Sequence, residues 1–433
     1  MKKILKKIVV LIVTWQAKLV LLRYHPKIIA VTGSVGKTST KDAIFTVLSK
    51  FKTVRKSEKS FNSEIGLPLT ILGMPNGWNN FFTWFENIIR GFSLIIWKQS
   101  YPEYLVLEVG VGKPGDIKKN VIPWLKPHIT VITRFPDKPV HVEFFESVEK
   151  IIEEKSTLAY ATLANGVLIL NHDDEKVYAL HSKAKSKTVS YGKKENATYH
   201  ITNPLHLIKN KGDMEIIQGI NFKLEYNGNT FPVTLPNVIG FHYIDSALAA
   251  LAVAGEVGCD LLESINAVSE YKTPPGRLSL IEGINNSIII DDTYNSSPVA
   301  MEAAIGVLEE MKGQRKIAVL GDMLELGKFT EEEHRIVGEK LVGIADILIT
   351  VGPRAKFIAE EAINKGFQEK NIYHFETSLN TGEFLIGFIK NGDIILMKAS
   401  QGIRLERAVI AVMAHPELKL SLLCRQEKEW QSR

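Results

Sequence analysis

The sequence predicts an α/β protein with two parallel-sheet domains, and three observations support this class. Short apolar runs typical of buried strands alternate with helical patterns through most of the 433 residues. A glycine-bearing loop joins one of these strands to a helix near the N-terminus. A segment with two prolines and a glycine, residues 273–277, separates the first alternation from a second one. A chain of this length is expected to form two or three domains.

The first predicted element is a basic, apolar helix within residues 1–27. Residues 4–22 are strongly apolar, but Lys18 leaves too short an uninterrupted run to span a bilayer. On a helix, one narrow stripe carries Lys3, Lys7, Thr14 and Lys18. We consider three interpretations: a helix packed on its own domain or on a partner chain, a helix lying in a membrane interface with Trp15 near the boundary, and, least favoured, a spanning helix.

The clearest chemical signal is Val31-Thr-Gly-Ser-Val-Gly-Lys-Thr-Ser39, although Val31 stands where the strict motif has its first glycine. It follows a predicted strand and precedes a helical pattern, as a phosphate-binding loop requires. Lys37 is expected to reach the β- and γ-phosphates, and the Thr38 hydroxyl is placed for Mg²⁺. Backbone N–H groups at the helix start would bind phosphate oxygens. The predicted nucleotide-binding residues of the loop are Gly33, Ser34, Val35, Gly36, Lys37, Thr38 and Ser39.

Three residues after the loop are weaker signals by themselves. A buried strand at 104–108 ends in Glu108. An acidic residue at the end of a strand beside a phosphate-binding loop is a typical Mg²⁺ ligand. His141 follows a further strand in a polar loop, and Lys155 lies on a predicted helix at 147–158; alone, each is more often structural.

The stretch at 78–98 is rich in aromatic residues. A core helix is the first interpretation of such a stretch. A patch formed jointly with the N-terminal helix, facing a membrane or a partner, is the alternative.

The remaining elements follow in order along the chain. A strand at 166–170, an antiparallel region at 186–235 and an Ala-rich helix at 246–255 precede the linker. Beyond it, strands are predicted at 288–291, 316–320, 347–351 and 394–398, with helices at 301–311 and 330–341. Thr330 and Glu333 form a predicted capping box. This alternation predicts a second parallel sheet.

Composition limits the function classes. The chain has 45% hydrophobic and 23% charged residues, as globular proteins do. The net charge of +5 is concentrated at the N-terminus, where no acidic residue precedes Asp42, and no basic patch with interleaved aromatics suggests nucleic-acid binding. Cys259 and Cys424 match no zinc or redox spacing, which fits a cytoplasmic location.

Six segments together resemble the Mur ligase family, ATP-dependent enzymes that join an amine to a carboxylate in peptidoglycan precursor synthesis. Three lie in the first half of the chain: residues 32–41, residues 62–70, and Glu108-Val-Gly with Gly115-Asp-Ile117. Three lie in the second half: Pro275-Gly-Arg277, Asp291-Asp-Thr-Tyr-Asn-Ser-Ser-Pro298 and Leu320-Gly-Asp-Met-Leu-Glu-Leu-Gly327. The resemblance covers about residues 28–407.

The resemblance implies a domain plan. It predicts a P-loop central ATPase domain at 28–274, with an aromatic insertion at about 75–101, and a C-terminal Rossmann-like α/β domain at 275–433. Related enzymes that this chain most resembles begin with a further domain that binds a UDP-linked precursor. Only about thirty residues precede the loop here, so we expect that domain to be absent.

The resemblance also implies roles for single residues, with ATP and Mg²⁺ as cofactors. Thr38, Glu108 and His141 align with Mg²⁺ positions, and Lys155 aligns with a lysine that is carbamylated in many members, near a second Mg²⁺. The implied catalytic residues are Lys37, His141 and Lys155. The implied nucleotide contacts outside the loop are His242, the hinge residue Arg277, the ribose- or adenine-side acid Asp292, and Asn295. Tyr243 and Ser246 replace two asparagines of the family's helix start after His242.

The substrates implied are UDP-MurNAc-peptide and D-Ala-D-Ala, joined through an acyl phosphate. Two alternatives stay open: a Mur-like ligase for a different acyl acceptor, and a non-catalytic, membrane-peripheral module that binds nucleotide. The joint presence of Lys37, Glu108, His141 and Lys155 favours an enzyme. We expect a cytoplasmic protein. The alternative is a cytoplasmic protein whose N-terminal helix contacts the inner face of the membrane. The sequence leaves the oligomeric state undetermined.

Overall fold

The structure is a computed structural model that describes residues 2–58, 61–78, 80–136, 144–427 and 430, with the side chains of the first helix described from Lys7 onward. Its larger sheet has nine strands, which are β1 (Lys27–Thr32), β2 (Val54–Lys56), β3 (Tyr104–Glu108), β4 (Ile129–Ile132), β5 (Val167–Asn171), β6 (Lys187–Gly192), β7 (Tyr199–Lys211), β8 (Met214–Tyr226) and β9 (Asn229–Pro236). Their order is β2-β3-β1-β4-β5-β6-β7-β8-β9.

All neighbours from β2 to β7 pair in parallel, while β7, β8 and β9 pair antiparallel. The predicted parallel sheet is therefore confirmed. The antiparallel region predicted at 186–235 is confirmed from β7 onward but is wrong for β6, which pairs in parallel with β5 and β7. The antiparallel strands extend the same sheet, because β7 pairs with β6 through Tyr191 and Gly192.

Helices cover both faces of this sheet. They are α1 (Lys2–Tyr24), α2 (Lys37–Leu48), α3 (Gly66–Leu72), α4 (Phe81–Ile96), α5 (Asp116–Asn120), α6 (Val148–Tyr160), α7 (Glu175–Tyr178), α8 (Tyr243–Val257) and α9 (Leu261–Val268). Ile29 and Val31 of β1 join the core formed with α2 and α8, whereas Ile28 and Ala30 join the core formed with α1 and α3. A strand covered on both faces is apolar along its buried part, which is why residues 28–31 of β1 form a continuous apolar run.

The second sheet has six strands, which are β10 (Ser279–Glu282), β11 (Ile288–Asp292), β12 (Arg315–Gly321), β13 (Ile347–Val351), β14 (Ile372–Phe375) and β15 (Asp393–Lys398). Their order is β10-β11-β15-β12-β13-β14, parallel except for the β10–β11 pair. Its helices are α10 (Pro298–Glu310), α11 (Thr330–Leu341), α12 (Lys356–Asn364), α13 (Ser378–Phe388), α14 (Glu406–Val412) and α15 (Lys419–Leu422). The predicted parallel sheet is confirmed; the edge strands β10 and β14 were not predicted, because each is short and only partly buried. The domain boundary at 274–275 stays a prediction.

The predicted capping box at Thr330 is wrong. The N-cap position of α11 is Phe329, with no side-chain cap, and the Thr330 hydroxyl donates to the carbonyl oxygen of Gly327. A 3₁₀ turn at Gly327–Phe329 runs directly into the helix, so Thr330 already lies inside it.

The N-terminal helix packs on the first domain, as one interpretation predicted, and buries Val13, Gln16, Ala17 and Val20. Among the described residues, no helix has the length and apolarity needed to cross a membrane. The prediction of a core helix at 78–98 is wrong for most of α4, in which only Asn87, Gly91 and Leu94 are buried. Most of its aromatic side chains face outward.

Candidate active site

The predicted phosphate-binding loop connects β1 to α2. Gly33 has φ of 146°, and a Cβ atom there would lie 2.0 Å from Thr133 Oγ1. Gly36, with φ of 81°, is the N-cap of α2. Both positions favour glycine, since L-residues rarely adopt these angles. Thr133, after β4, donates a hydrogen bond of 2.6 Å to the carbonyl oxygen of Val35 and so fixes the loop against the sheet.

Two lysines lie beside the loop. Lys37 is half-buried and donates to the carbonyl oxygens of Gly33 (3.0 Å) and Ser34 (3.2 Å). Lys155, on α6, is 2% exposed and donates to the Ser34 hydroxyl at 2.8 Å. Burial lowers the pKa of both; nearby Glu108 opposes the shift at Lys37, while Lys37 deepens it for Lys155, whose pKa lies well below its ordinary value. This arrangement places two amines at the loop, both bonded to neutral oxygens.

Glu108 ends β3 and is 1% exposed. Its Oε1 accepts a hydrogen bond of 3.0 Å from Asn62 Nδ2, and its backbone N–H donates to Ser57 Oγ. Oε2 has no hydrogen-bond partner among the described atoms, although Lys41 Nζ lies 3.8 Å away. A buried carboxylate oxygen left without a hydrogen bond is costly, so an additional ligand is expected at this atom.

The C-terminal domain reaches the loop through Arg277. Its Nη2 donates to Thr38 Oγ1 at 3.3 Å, and its guanidinium stacks 4.3 Å from the ring of Tyr294. The carbonyl oxygen of Arg277 accepts a hydrogen bond of 2.8 Å from the Tyr243 hydroxyl on α8. Arg277 is therefore held from both domains at once.

Two cavities meet at the loop. One of about 220 Å³ lies between the domains and brings together the loop from Ser34 to Thr38 with Glu108, Arg277 and Asn295. The other, of about 590 Å³, shares Ser34, Lys37 and Asn62 with it and extends past Lys155. Its remaining lining includes Asn62, Gly110, Lys113, Asp116, Phe144 and Glu325.

The other predicted site residues lie elsewhere. Ser39 is buried within α2. Asp292 is 8% exposed and binds Lys398 Nζ at 2.6 Å through Oδ2, so its carboxylate is already engaged. His242 lines neither cavity, and burial lowers its pKa to about 4. His141 lies outside the described residues.

Sequence reasoning missed two residues that shape the site. Asn62 lines both cavities and orients Glu108; its signals were its place in a polar loop before an apolar segment and at the start of the family-like segment 62–70. Glu154, next to Lys155, accepts hydrogen bonds from the backbone N–H groups of Ile117 (2.8 Å) and Lys118 (2.9 Å). It thereby fixes α6 against the first turn of α5.

Two family models match the chain: the Mur ligase middle domain at residues 31–254, and the Mur ligase, glutamate ligase domain at residues 276–401. The UDP-N-acetylmuramoyl-tripeptide–D-alanyl-D-alanine ligase of Bacillus subtilis is 32% identical over 92% of this chain and 79% of its own length. Two similar crystal structures, each 25% identical, are MurF from Acinetobacter baumannii and the MurF ligase from Thermotoga maritima in complex with ADP. Their TM-scores are 0.75 and 0.73, covering 92% and 93% of this chain and 79% and 83% of theirs.

Proposed function

Because this chain belongs to the Mur ligase family of ATP-dependent ligases, we propose that it adds D-alanyl-D-alanine to a UDP-N-acetylmuramoyl-tripeptide. The reaction would convert ATP to ADP and phosphate in peptidoglycan precursor synthesis. The names of its relatives support this pair of substrates.

One observation carries the proposal: the loop, Glu108 and Lys155 surround two adjoining cavities at the point where the two domains meet. The smaller cavity is lined by phosphate-binding groups and by Arg277. The larger one opens beyond Lys37 and Lys155 and has room for reacting groups that receive a phosphoryl group. With the nucleotide phosphates in the smaller cavity and the substrate carboxylate in the larger one, the two groups would lie next to each other, as phosphoryl transfer requires.

The residues present fit a Mg²⁺ ion. Mg²⁺ prefers oxygen ligands and neutralises phosphate charge. Glu108 Oε2 is buried and accepts no hydrogen bond from the described residues, and Thr38 offers a hydroxyl at the first turn of α2. We propose that these two residues hold the ion, which would polarise the transferring phosphoryl group. His141, implied as a ligand by its family position, belongs to the same proposal.

The protein's own groups would do the positioning. The ammonium of Lys37 would leave the loop carbonyls and bind the β- and γ-phosphates, and the backbone N–H groups of the loop would bind the same oxygens. The substrate carboxylate would take the phosphoryl group and become an acyl phosphate. The amine of the dipeptide would then attack the acyl carbon, and the tetrahedral intermediate would expel phosphate to leave an amide.

Lys155 would act as a neutral amine. Since its pKa lies well below the ordinary lysine value, a larger fraction of the amine is neutral and nucleophilic. That form attacks CO₂ with release of a proton to water, and gives the carbamate that its family position implies. Arg277, Asp292, Asn295 and His242 are proposed on the nucleoside side, with the stronger support for Arg277 and Asn295, which line the smaller cavity.

The test is phosphate release from ATP and Mg²⁺ with UDP-MurNAc-tripeptide, with and without D-alanyl-D-alanine, and the mass of the product. Release that requires both substrates and a pentapeptide product is expected. ATP binding without release would point to a different acyl acceptor. Absence of ATP binding would contradict the enzyme proposal and leave the non-catalytic alternative.

Arg277 provides a second test, of domain closure. We expect Arg277→Ala to raise KM for ATP and lower phosphate release, because the Thr38 contact between the domains is lost. Arg354→Ala, on the exposed part of the same domain, is the control. Unchanged ATP turnover in the Arg277 variant would contradict a closing role.

A further inference from the structure

The outer face of α1 and α4 is largely apolar from Ile8 to Leu22 and from Phe82 to Ile96. Large apolar side chains that are 40–80% exposed recur there every three or four residues, as on one face of each helix, except that exposed Lys18 stands between Trp15 and Leu22. We call this the α1–α4 face; its members are Ile8, Leu11, Trp15, Leu22, Phe82, Phe85, Ile89, Phe92 and Ile96. In the described part of the chain, no stretch of similar length exposes as many large apolar side chains. Patches of this kind mark interaction sites.

The two helices form one rigid surface. Gln16 Nε2 donates to the carbonyl oxygen of Ile88 at 2.8 Å, and a Cβ atom on Gly91 would lie only 2.4 Å from Gln16 Oε1. The Tyr24 hydroxyl donates to the carbonyl oxygen of Leu94 at 3.0 Å, which ties the two helices again near their C-terminal ends. This close crossing aligns the exposed stripes side by side.

The stripes meet at a pair of aromatic rings. Trp15 and Phe92 are 49% and 40% exposed, and their ring centroids are 6.1 Å apart. The exposed apolar residues of the two helices are therefore continuous.

The charge on this face is almost entirely positive. Lys7, Lys18 and Arg23 are exposed on α1, which carries no acidic residue. On α4, Glu86 lies 3.7 Å from Arg90, which leaves no unpaired acidic charge on this helix, and Lys98 follows its end. A second copy of the same face would bring like charges together, which disfavours self-association.

We propose that the α1–α4 face binds the surface of an anionic lipid bilayer, with its aromatic and aliphatic side chains in the headgroup–acyl boundary and its lysines against lipid phosphates. A helix with apolar and basic residues on its exposed side has the chemistry for this location, and tryptophan is favoured at the boundary. Lysine residues near the surface add attraction to anionic lipids.

The test is sedimentation of the full-length protein with vesicles made of equal parts phosphatidylglycerol and phosphatidylcholine, and with vesicles of phosphatidylcholine alone. We expect binding to the anionic vesicles that weakens as salt is raised, and much weaker binding to the neutral ones. Failure to bind either vesicle would overturn the proposal, whatever the ligase assay shows.

Two pairs of variants sharpen the test. Phe85→Ser with Ile89→Ser removes two exposed apolar side chains and is expected to lower vesicle binding at least ~10-fold. The matched control is Leu379→Ser with Ile386→Ser on α13, whose residues are 56% and 53% exposed against 56% and 52% for the test pair. The control is expected to bind as the unaltered protein does. An equal loss of vesicle binding in the two double variants would contradict specific binding through the α1–α4 face.

Charge-reversal variants test whether the α1–α4 face binds an anionic lipid surface. Lys7→Glu with Lys18→Glu is expected to weaken binding to the anionic vesicles roughly tenfold or more and to leave binding to neutral ones little changed. Lys223→Glu with Lys390→Glu, two exposed lysines elsewhere, is the control. If light scattering without lipid shows a dimer that Phe85→Ser and Ile89→Ser abolish, the face is a contact between copies and the lipid proposal fails. Ligase activity without lipid is expected to be the same in all variants, since none of these residues lines the two cavities.

Discussion

Two lysines, Lys155 and Lys398, are equally buried in the two domains but meet opposite surroundings. Lys155, 2% exposed, donates to a neutral serine hydroxyl near a second lysine. Lys398, 1% exposed, binds the carboxylate of Asp292 at 2.6 Å and the carbonyl oxygen of Asn295 at 3.0 Å. Burial alone therefore does not separate the two lysines. Among the described residues, Lys398 has a carboxylate partner and Lys155 has none, which makes Lys155 the candidate for a functional role.

The same contrast holds for the carboxylates. In the first domain, one oxygen of Glu108 has no hydrogen bond to any atom that the structure describes. In the second, Glu406 is fully buried, yet Arg425 lies 3.0 Å from one of its oxygens and Arg404 binds the other. Glu406 is thus satisfied within the second domain and serves its fold, although Asp291 Oδ2 in the same domain also lacks a hydrogen bond among the described atoms. At Glu108, which lines the smaller cavity, a metal ion would satisfy the remaining oxygen.

The largest effect is expected at Lys37, the second lysine beside the loop. Lys37→Met should reduce phosphate release at least ~10³-fold, because the cation that would stabilise the transferring phosphoryl group is lost. The melting temperature should stay equal or rise, since removal from water opposes the charged form of Lys37. Lys52→Met, an exposed lysine just beyond α2, should keep full activity. Full activity in Lys37→Met would show that the Lys37 cation does not stabilise the transferring phosphoryl group.

Lys398 should show the opposite pattern in stability. Lys398→Met leaves the carboxylate of Asp292 buried without its cation, which typically costs about 3–5 kcal/mol. We expect denaturant unfolding to show this loss. In the double variant Lys398→Met with Asp292→Leu, much of the stability should return, because no uncompensated charge remains. A single variant as stable as the unaltered protein would show that the pair contributes nothing.

Glu108→Gln tests the oxygen that lacks a hydrogen bond. The amide keeps the size and the contact with Asn62 but loses the negative charge, so the Mg²⁺ concentration for half-maximal activity should rise roughly tenfold or more. Titration of Mg²⁺ at saturating ATP measures it. Glu103→Gln, at the exposed start of the same strand region, is the control. An unchanged Mg²⁺ requirement would remove Glu108 from the proposed metal site.

The smallest expected effect is the contribution of Lys155 to the pH dependence of the unfolding free energy. Its pKa is lower in the folded chain than the ordinary 10.5, so the unfolded chain binds more protons and the unfolding free energy rises with pH until about 10.5 is passed. Lys155→Met lacks this dependence. In buffers free of CO₂ and nucleotide, it should be more stable than the unaltered protein near neutral pH, and the gap should narrow as pH rises. Each unit of pKa depression is worth about 1.4 kcal/mol. A gap that widens with pH would show that Lys155 is stabilised as a cation.

The sequence by itself determined the elements that short windows encode. The loop from Gly33 to Ser39, the strands that flank it and most strands of the second sheet follow from apolar periodicity and turn chemistry within about ten residues. The same segments were enough to indicate the family, which the comparisons confirmed. The capping box at Thr330 failed because a 3₁₀ turn, which the local pattern does not reveal, shifts the helix start.

Which charges find partners depends on how distant segments pack. Lys155 meets Ser34 across 121 residues, and Lys398 meets Asp292 across 106, because strand order in each sheet brings distant segments together. The outward direction of the aromatic residues on α4 was likewise decided by packing, since Gly91 and Asn87 face inward against α1 and the adjoining loop. Periodicity records that a helix has two faces, but which face is covered depends on a neighbour that the local sequence does not specify.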